Sequence, residues 1–273
     1  MGKTLFIETA EGRLAYEEVG DGPLVVCVPS MGDLRQEYRF LAPFLAEAGF
    51  RVASLDLRGL GESSVGWKDY SVVGVASDIG AAIERLGAGR AYVVADSMGA
   101  GAAVYLAAER PDLVGGLVLM DPFVRGAAKP LEKVLYSLLF ADPWGPFVWK
   151  AYYASLYPSR KPADFADYTR RLAANLAEKG RMAAVRSMMR ASKEASGRAV
   201  GRVRCRSVVI MGKRDPDFKD PEAEARALAV ELGSSHRMVE GAGHYPHAEF
   251  PGETASLVLD FLRDAERGGA GRA

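Results

Sequence analysis

Uninterrupted apolar runs recur along this chain, and segments with helical periodicity separate them. The runs at 23–28 (PLVVCV) and 114–121 (VGGLVLMD) show no alternation of polar and apolar residues. A strand with this pattern is typically buried on both faces, as in a parallel sheet covered by helices. Parallel neighbours need crossover connections, which helices supply. The alternation therefore predicts an α/β fold with a mostly parallel sheet flanked by helices.

Eight strands are predicted in all, and the first two form a hairpin around a Glu-Gly turn. The predicted strand segments are 4–22 for the hairpin, then 23–28, 50–57, 90–95, 114–121, 206–212 and 235–241. The helical segments between or after them are 36–49, 71–89, 98–110, 220–232 and 252–266.

The alternation of predicted strands and helices stops after Pro122. Residues 125–205 contain no convincing buried strand, but they hold helical stretches at 129–140, 163–180 and 181–195. We therefore expect one α/β core, built from residues 1–124 and 206–273, with residues 125–205 inserted as a helical cap.

Composition narrows the class of protein. Hydrophobic residues make up 49% of the chain and the formal net charge is zero, so nothing favours a nucleic-acid partner. No apolar run reaches the roughly 20 residues of a membrane helix, and the first residues lack the apolar core of a signal peptide. We expect a soluble, cytoplasmic protein. Cys27 and Cys205 lie in apolar runs and are predicted to be buried thiols, and no metal-ligand spacing is present.

Ser97 lies between a predicted strand and a predicted helix, in the stretch VVADSMGAG (93–101). A serine alone is a poor nucleophile and needs a base, a group that orients the base, and donors for the oxyanion. Small neighbours permit a sharp turn there, and the first turn of the following helix offers free amides. A helix-capping serine is the alternative when this stretch is taken alone.

This strand–turn–helix resembles the nucleophile elbow of the α/β-hydrolase superfamily, usually G-x-S-x-G, with Ala95 in the place of the first glycine. The stretch 54–64 (SLDLRGLGESS) is similar to the D-x-R-G-x-G-x-S loop of that family. The resemblance covers residues 1–124 and 206–273. It implies the α/β-hydrolase fold, with an eight-stranded sheet and an inserted cap, and a serine hydrolase with a Ser-Asp-His triad.

The resemblance also assigns the remaining residues of the site. Asp215, three residues after Gly212, becomes the acid, and His244 in VEGAGHYPHAEFP (239–251) becomes the base. The backbone amides of Met31 and Met98 become the oxyanion hole. Such a site needs neither a metal nor an organic cofactor.

Several residues compete for these roles. Asp217 and Asp121 are the alternative acids, with Asp121 expected to shape the entry to the insertion. His236 lies within a strand pattern, and His247 is expected to pack on the loop. Asp56 and Ser63 are expected to be structural members of their loop.

Asp96 stands where many relatives have histidine, and it adds a carboxylate beside the nucleophile. It is a candidate modulator: if it lies close to His244, its replacement should move the pH profile of kcat/KM. The turn spacing puts Ser97 rather than Asp96 at the elbow tip.

The resulting hypothesis is a carboxylesterase that cleaves small to medium esters through an acyl-enzyme. Hydrolysis of C–C, lactone or amide bonds and perhydrolysis are alternatives on the same triad, because a fold does not fix its chemistry. A slow or non-catalytic ligand receptor is the alternative from another class. Residues 150–206 hold fourteen Lys or Arg against four Asp or Glu, which suits either a solvated face or attraction of anions. The natural substrate and the oligomeric state stay open.

Overall fold

A computed structural model describes residues 2–126 and 129–270. The strands of the protein form one eight-stranded sheet. The strands lie in the order β1-β2-β4-β3-β5-β6-β7-β8. Strands β1 and β2 form the predicted hairpin, β2 also runs antiparallel to β4, and all other neighbours are parallel. The strand bounds are β1 Leu5–Glu8, β2 Arg13–Val19, β3 Leu24–Val28, β4 Arg51–Leu55, β5 Ala91–Asp96, β6 Val114–Met120, β7 Arg206–Gly212 and β8 Ser235–Val239. The prediction of a mostly parallel sheet is confirmed.

Helices cover the sheet and extend beyond it. Their bounds are α1 Leu41–Glu47, α2 Val72–Leu86, α3 Ser97–Glu109, α4 Pro130–Leu139, α5 Gly145–Ser155, α6 Phe165–Leu176, α7 Arg181–Arg190, α8 Glu194–Ala199, α9 Pro221–Leu232, α10 Pro246–Glu249 and α11 Pro251–Ala270. Residues 36–39, predicted as the start of an α-helix, belong to a short 3₁₀ helix, Arg35–Arg39, before α1. Helix α5 is not among the predicted helices, because the exposed Phe147 lies opposite its buried face and obscures the helical period.

Strand β3 shows why the central strands read as continuous apolar runs. Successive side chains of a strand point to opposite faces. Val26 and Val28 pack into a core with residues of α2 and α3, whereas Val25 and Cys27 pack into a second core with residues of α1 and α11. Both faces are covered, so every position must be apolar. Cys27 is fully buried as expected, and Cys205 is only partly buried.

Between β6 and β7 the described residues form helices α4 to α8 and a short 3₁₀ turn, with no strand. The peptide carbonyl of Leu156, just after α5, accepts the amide of His244 at 3.1 Å. The Tyr152 hydroxyl on α5 donates to Asp217 Oδ2 at 2.6 Å. These contacts attach the helical segment to the loops that follow β7 and β8. The division into a core and a cap stays a prediction.

None of the helices among the described residues is long and apolar enough to cross a membrane.

Candidate active site

Ser97 occupies a strained position at the junction of β5 and α3. Its φ of +52° lies in the left-handed region, which non-glycine residues enter rarely and mostly at functional sites. Asp96, one residue earlier, keeps an extended φ of −108°. The strand therefore ends at Asp96, and Ser97 is the residue at the tip of the turn.

The glycines after Ser97 permit close packing around this turn. A Cβ on Gly99 would lie 2.7 Å from the Pro29 carbonyl oxygen, and one on Gly101 would lie 2.6 Å from that of Phe123. Real side chains do not tolerate such contacts, so α3 approaches its neighbours only because these positions lack a Cβ. The small residues of the elbow are thus explained by backbone proximity.

His244 and Asp215 meet beside this turn, although 29 residues separate them in sequence. His244 Nδ1 lies 2.7 Å from Asp215 Oδ2, and both side chains are buried. Asp215 follows β7, and His244 follows β8, so the adjacent parallel strands β7 and β8 bring the two residues together. The carboxyl ends of neighbouring parallel strands lie at one edge of a sheet, where ligands of open α/β sheets bind.

Glu249 holds the histidine loop in place. Its Oε2 accepts the Gly243 amide at 2.7 Å, and its Oε1 accepts the Ser159 amide at 2.9 Å. A Cβ on Gly243 would lie 2.2 Å from the Leu156 carbonyl oxygen. The loop before His244 is therefore clamped between Glu249 and the backbone after α5.

The charges of His244 and Asp215 depend on one another. Burial lowers the pKa of His244, but the Asp215 carboxylate more than offsets this, with help from Asp217, and the pKa lies above its ordinary value. Burial raises the pKa of Asp215, but its interaction with His244 outweighs burial and leaves the pKa below its ordinary value. Asp215 is therefore ionised near neutral pH and stabilises a positive charge on His244.

Ser97, His244, Met31 and Met98 line one cavity of about 350 Å³. This volume lies near the lower end of small-molecule sites. The helical segment supplies much of its wall through Tyr136, Trp149, Tyr152, Leu156, Met189 and Lys193. Ser97 and His244 line the same cavity, but among residues 2–126 and 129–270 no hydrogen bond joins the Ser97 hydroxyl to the His244 ring. Nucleophile–base contacts are often loose in ligand-free structures.

The backbone amides of Met31 and Met98 are available to a ligand. Met98 is the second residue of α3, where amides have no acceptor within the helix. Met31 lies in the turn after β3 and its side chain is partly buried. Neither amide donates to an acceptor within the described part of the chain. Both are thus free to stabilise an oxyanion.

Asp96 lies against the base on the side away from Asp215. Its Oδ2 is 3.9 Å from His244 Nε2, and neither of its oxygens has a hydrogen-bond partner among the described residues. Burial, followed by the nearby acids Glu37, Asp121 and Asp215, raises the pKa of Asp96 well above its ordinary value. Burial and these neighbouring acids therefore favour the protonated form of Asp96.

A second buried histidine, His247, lies near Asp96. Its Nε2 is 3.2 Å from Glu37 Oε1, and its ring stacks on Tyr38 with centroids 5.0 Å apart. Burial lowers the pKa of His247 to about 3, and burial raises the pKa of Glu37. The two groups are thus both neutral near pH 7, so their contact is not an ion pair.

Two sets of buried side chains bring possible metal-ligand atoms within 4.8 Å of one another: Glu37, Asp96 and His247, and Asp121, Asp215 and His244. The pKa values of Glu37, Asp96 and Asp121 are raised, so burial favours their protonated forms, and a cation would compete with those protons. Asp215, the ionised member, is already bound to His244.

The competing residues occupy separate positions. Asp121 accepts the Gly212 amide at 2.9 Å and thereby supports the end of β7, and burial raises its pKa well above the ordinary value. Asp217 lines the cavity and accepts from Tyr152. His236 lies in β8 and does not line the cavity.

The loop after β4 is held by its own polar residues. Arg58 pairs with Asp78 at 2.7 Å, and the Ser63 hydroxyl donates to the Asp56 carbonyl at 3.0 Å. A Cβ on Gly61 would lie 2.0 Å from the Asp56 carboxyl group. These contacts fit the structural reading of Asp56 and Ser63.

Sequence reasoning did not single out Glu37, Lys193 and Glu249. Each touches the cavity or the loops around it. Glu37 carries no local signal, because its sequence neighbours Gln36 and Arg39 are polar. The contacts of all three residues are made with segments distant in sequence.

The sequence and the fold both assign this chain to one protein family. Residues 23–251 match the family model for the alpha/beta hydrolase fold. This chain belongs to that family, and its sheet order and flanking helices agree with it.

Characterised relatives match about half of the chain. It is 34% identical over 139 residues to a 2-hydroxy-6-oxo-6-phenylhexa-2,4-dienoate hydrolase of Comamonas testosteroni, covering 47% of this chain and 48% of that protein. It is 26% identical over 149 residues to epoxide hydrolase 3 of Siraitia grosvenorii, covering 50% and 47%. The match thus spans about half the length of these curated relatives.

A solved structure matches over nearly the whole chain. A thermophilic esterase from Thermogutta terrifontis superimposes with a TM-score of 0.80 and 23% identity, over 97% of this chain and 99% of that one. At this identity the likeness shows the fold alone.

Proposed function

We propose that this protein is a serine hydrolase in which Ser97 is the nucleophile, His244 the general base and Asp215 the acid that orients it. The observation that carries the proposal is the meeting of three features at one cavity. These are a serine with a φ of +52° at a strand–helix turn, a histidine lining the same cavity, and an ionised carboxylate 2.7 Å from that histidine.

In the proposed reaction, Ser97 Oγ attacks a carbonyl carbon while His244 Nε2 takes its proton. Asp215 holds Nδ1–H and stabilises the imidazolium. The oxyanion accepts from the Met31 and Met98 amides. Collapse of the intermediate expels the alcohol, which takes the proton from His244 and leaves an acyl-enzyme. Water, deprotonated by His244, then releases the acid and restores Ser97.

We propose a carboxylic ester of small to medium size as the substrate. The cavity volume of about 350 Å³ and its aromatic wall support an apolar group of limited length. Residues 125–205 act as a cap in this proposal, because helices α4, α5 and α7, and Lys193 just before α8, supply cavity residues above the sheet edge.

Hydrolysis of a C–C bond is the second candidate. It is favoured by the likeness to the dienoate hydrolase, which is 34% identical over about half of this chain. An epoxide hydrolase is also among the relatives. Neither similarity covers enough of those proteins to transfer a substrate.

The test is turnover of p-nitrophenyl esters from acetate to decanoate, with Ser97→Ala as the matched control. We expect activity that depends on chain length and falls to background in Ser97→Ala. Activity retained in that variant would overturn the assignment of the nucleophile. If the esters are not cleaved, hydrolysis of a 2-hydroxy-6-oxo-dienoate would favour C–C bond cleavage. The loss of absorbance of that compound measures the reaction. Saturable ligand binding with neither reaction would favour the receptor alternative.

A further inference from the structure

Four charged side chains besides His244 line the cavity, and three of them have partners. Glu132 accepts the Lys129 amide at 2.7 Å, and Asp217 accepts from Tyr152 at 2.6 Å. The Arg125 guanidinium pairs with Glu231. The fourth is Lys193.

The Lys193 ammonium has no anionic partner in the described part of the chain. The ammonium lies over the Phe123 ring, whose centroid is 5.5 Å from Nζ. Burial lowers the pKa of Lys193, and no carboxylate is close enough to offset that effect. Removing an ammonium from water without a counter-charge costs free energy. A cavity that holds such a group is complementary to an anion.

Phe123 connects this cation to the reacting groups. The Phe123 ring meets the His244 ring edge to face with centroids 5.9 Å apart, and its amide donates to the Ser97 carbonyl at 3.1 Å. Lys193 is itself fixed, because its amide donates to the Gly126 carbonyl at 3.0 Å. The ammonium therefore lies one aromatic ring away from the predicted base, in the same cavity.

Resting on the proposed function, we propose that Lys193 binds a carboxylate carried by the substrate, and that the preferred substrates are half-esters of short dicarboxylic acids. The ester carbonyl lies at Ser97, and the free carboxylate lies several carbon atoms away at Lys193. The apolar wall of the cavity packs against the methylene groups between them.

The experiment compares charged and neutral esters of equal length by titrating released acid. Methyl hydrogen glutarate carries the anion on the acyl side, 4-acetoxybutyrate carries it on the alcohol side, and methyl pentanoate is neutral. The variant is Lys193→Met, which keeps an apolar side chain of similar length. The control is Lys179→Met, an exposed lysine of the same segment that does not line the cavity.

We expect Lys193→Met to lower kcat/KM for methyl hydrogen glutarate about 10- to 100-fold, the range of a hydrogen bond to a charged group. The loss should appear mainly in KM, with kcat/KM for methyl pentanoate within about threefold of the wild type. Lys179→Met should behave as the wild type. If Lys193→Met instead lowers kcat/KM for 4-acetoxybutyrate and not for methyl hydrogen glutarate, Lys193 binds a carboxylate on the alcohol side of the ester. That result would overturn the preference for half-esters.

Binding of glutarate separates this proposal from the catalytic one. Calorimetry should give measurable affinity in the wild type and in Ser97→Ala, and at least tenfold weaker affinity in Lys193→Met. If no ester is cleaved but this difference is found, the hydrolase proposal fails and the anion site stands. If neutral esters are cleaved and Lys193→Met changes neither the charged-to-neutral ratio nor glutarate binding, the anion site is overturned.

Discussion

His244 and His247 are three residues apart and both buried, yet their surroundings give them opposite properties. His244 lies 2.7 Å from an ionised carboxylate and lines the cavity, so it readily holds a proton. His247 lies 3.2 Å from Glu37, which is neutral near pH 7, and is closed off from the cavity. Its pKa is lowered to about 3.

The difference shows that burial alone does not make a general base. Desolvation acts on both rings and lowers both pKa values. For His244 the carboxylate of Asp215 makes the largest contribution that reverses the effect, and the pKa of Asp215 is itself lowered, whereas that of Glu37, beside His247, is raised. An ionised partner and access to the nucleophile therefore distinguish the predicted base from a packing residue.

The largest expected effect is that of His244→Ala. Loss of the base should lower kcat/KM for an ester by about 10⁴- to 10⁶-fold, as for other Ser-His-Asp hydrolases. Steady-state kinetics checks this, with circular dichroism to show that the variant folds. A loss smaller than about tenfold would mean that another group takes the proton.

Asp215→Asn should cost about 10⁴-fold in kcat/KM, because the amide stabilises the wrong tautomer of His244 and no imidazolium. Asp121→Asn is the matched control, since burial raises the pKa of Asp121 and disfavours its ionised form. We expect its effect to stay within about tenfold. An equal loss in both variants would show that Asp121 shares the role of the acid.

The pH profile sharpens the comparison further. Because the pKa of His244 lies above 6.5, the acid limb of kcat/KM should have its midpoint above pH 6.5. Asp96→Asn should leave this limb in place, because burial and the neighbouring acids disfavour the ionised form of Asp96. A shift of the acid limb in Asp96→Asn would show that Asp96 carries charge near neutral pH.

The smallest expected effect on activity is that of His247→Asn, within about fivefold. Its effect on stability depends on pH. The unfolded state binds a proton near pH 6.5 and the folded state only near 3, so the wild type loses stability as the pH falls below 6.5. Between pH 7 and 5 this group contributes a loss of about 2 kcal/mol. Urea unfolding at both pH values should show a smaller acid loss in His247→Asn, and equal losses would contradict a neutral buried His247.

Much of this site could be predicted because its signals are local. The strand before Ser97, the small residues after it and the order of Asp215 and His244 follow from short stretches of sequence. The φ of +52° at Ser97 and the close approach at Gly99 give these patterns their physical cause.

The rest depends on contacts between distant segments. Glu37, Asp96 and His247 come from three elements, and nothing in the sequence near any one of them indicates the other two. Helix α5 buries Trp149 and Tyr153 on one face, but the exposed Phe147 makes another face apolar too and obscures the helical period. In the sequence, Lys193 is one of fourteen Lys or Arg residues between 150 and 206, and only the structure shows that it lines the cavity.

The central claim is that Ser97 is a nucleophile activated by His244 and not by His247. The most direct measurement is the rate of labelling by a fluorophosphonate, with the labelled peptide identified by mass spectrometry. We predict that Ser97 alone is labelled, that His244→Ala lowers the rate at least 10³-fold, and that His247→Asn stays within about fivefold of the wild type. Labelling at another residue, no labelling of the folded wild type, or equal slowing in both histidine variants would contradict the account.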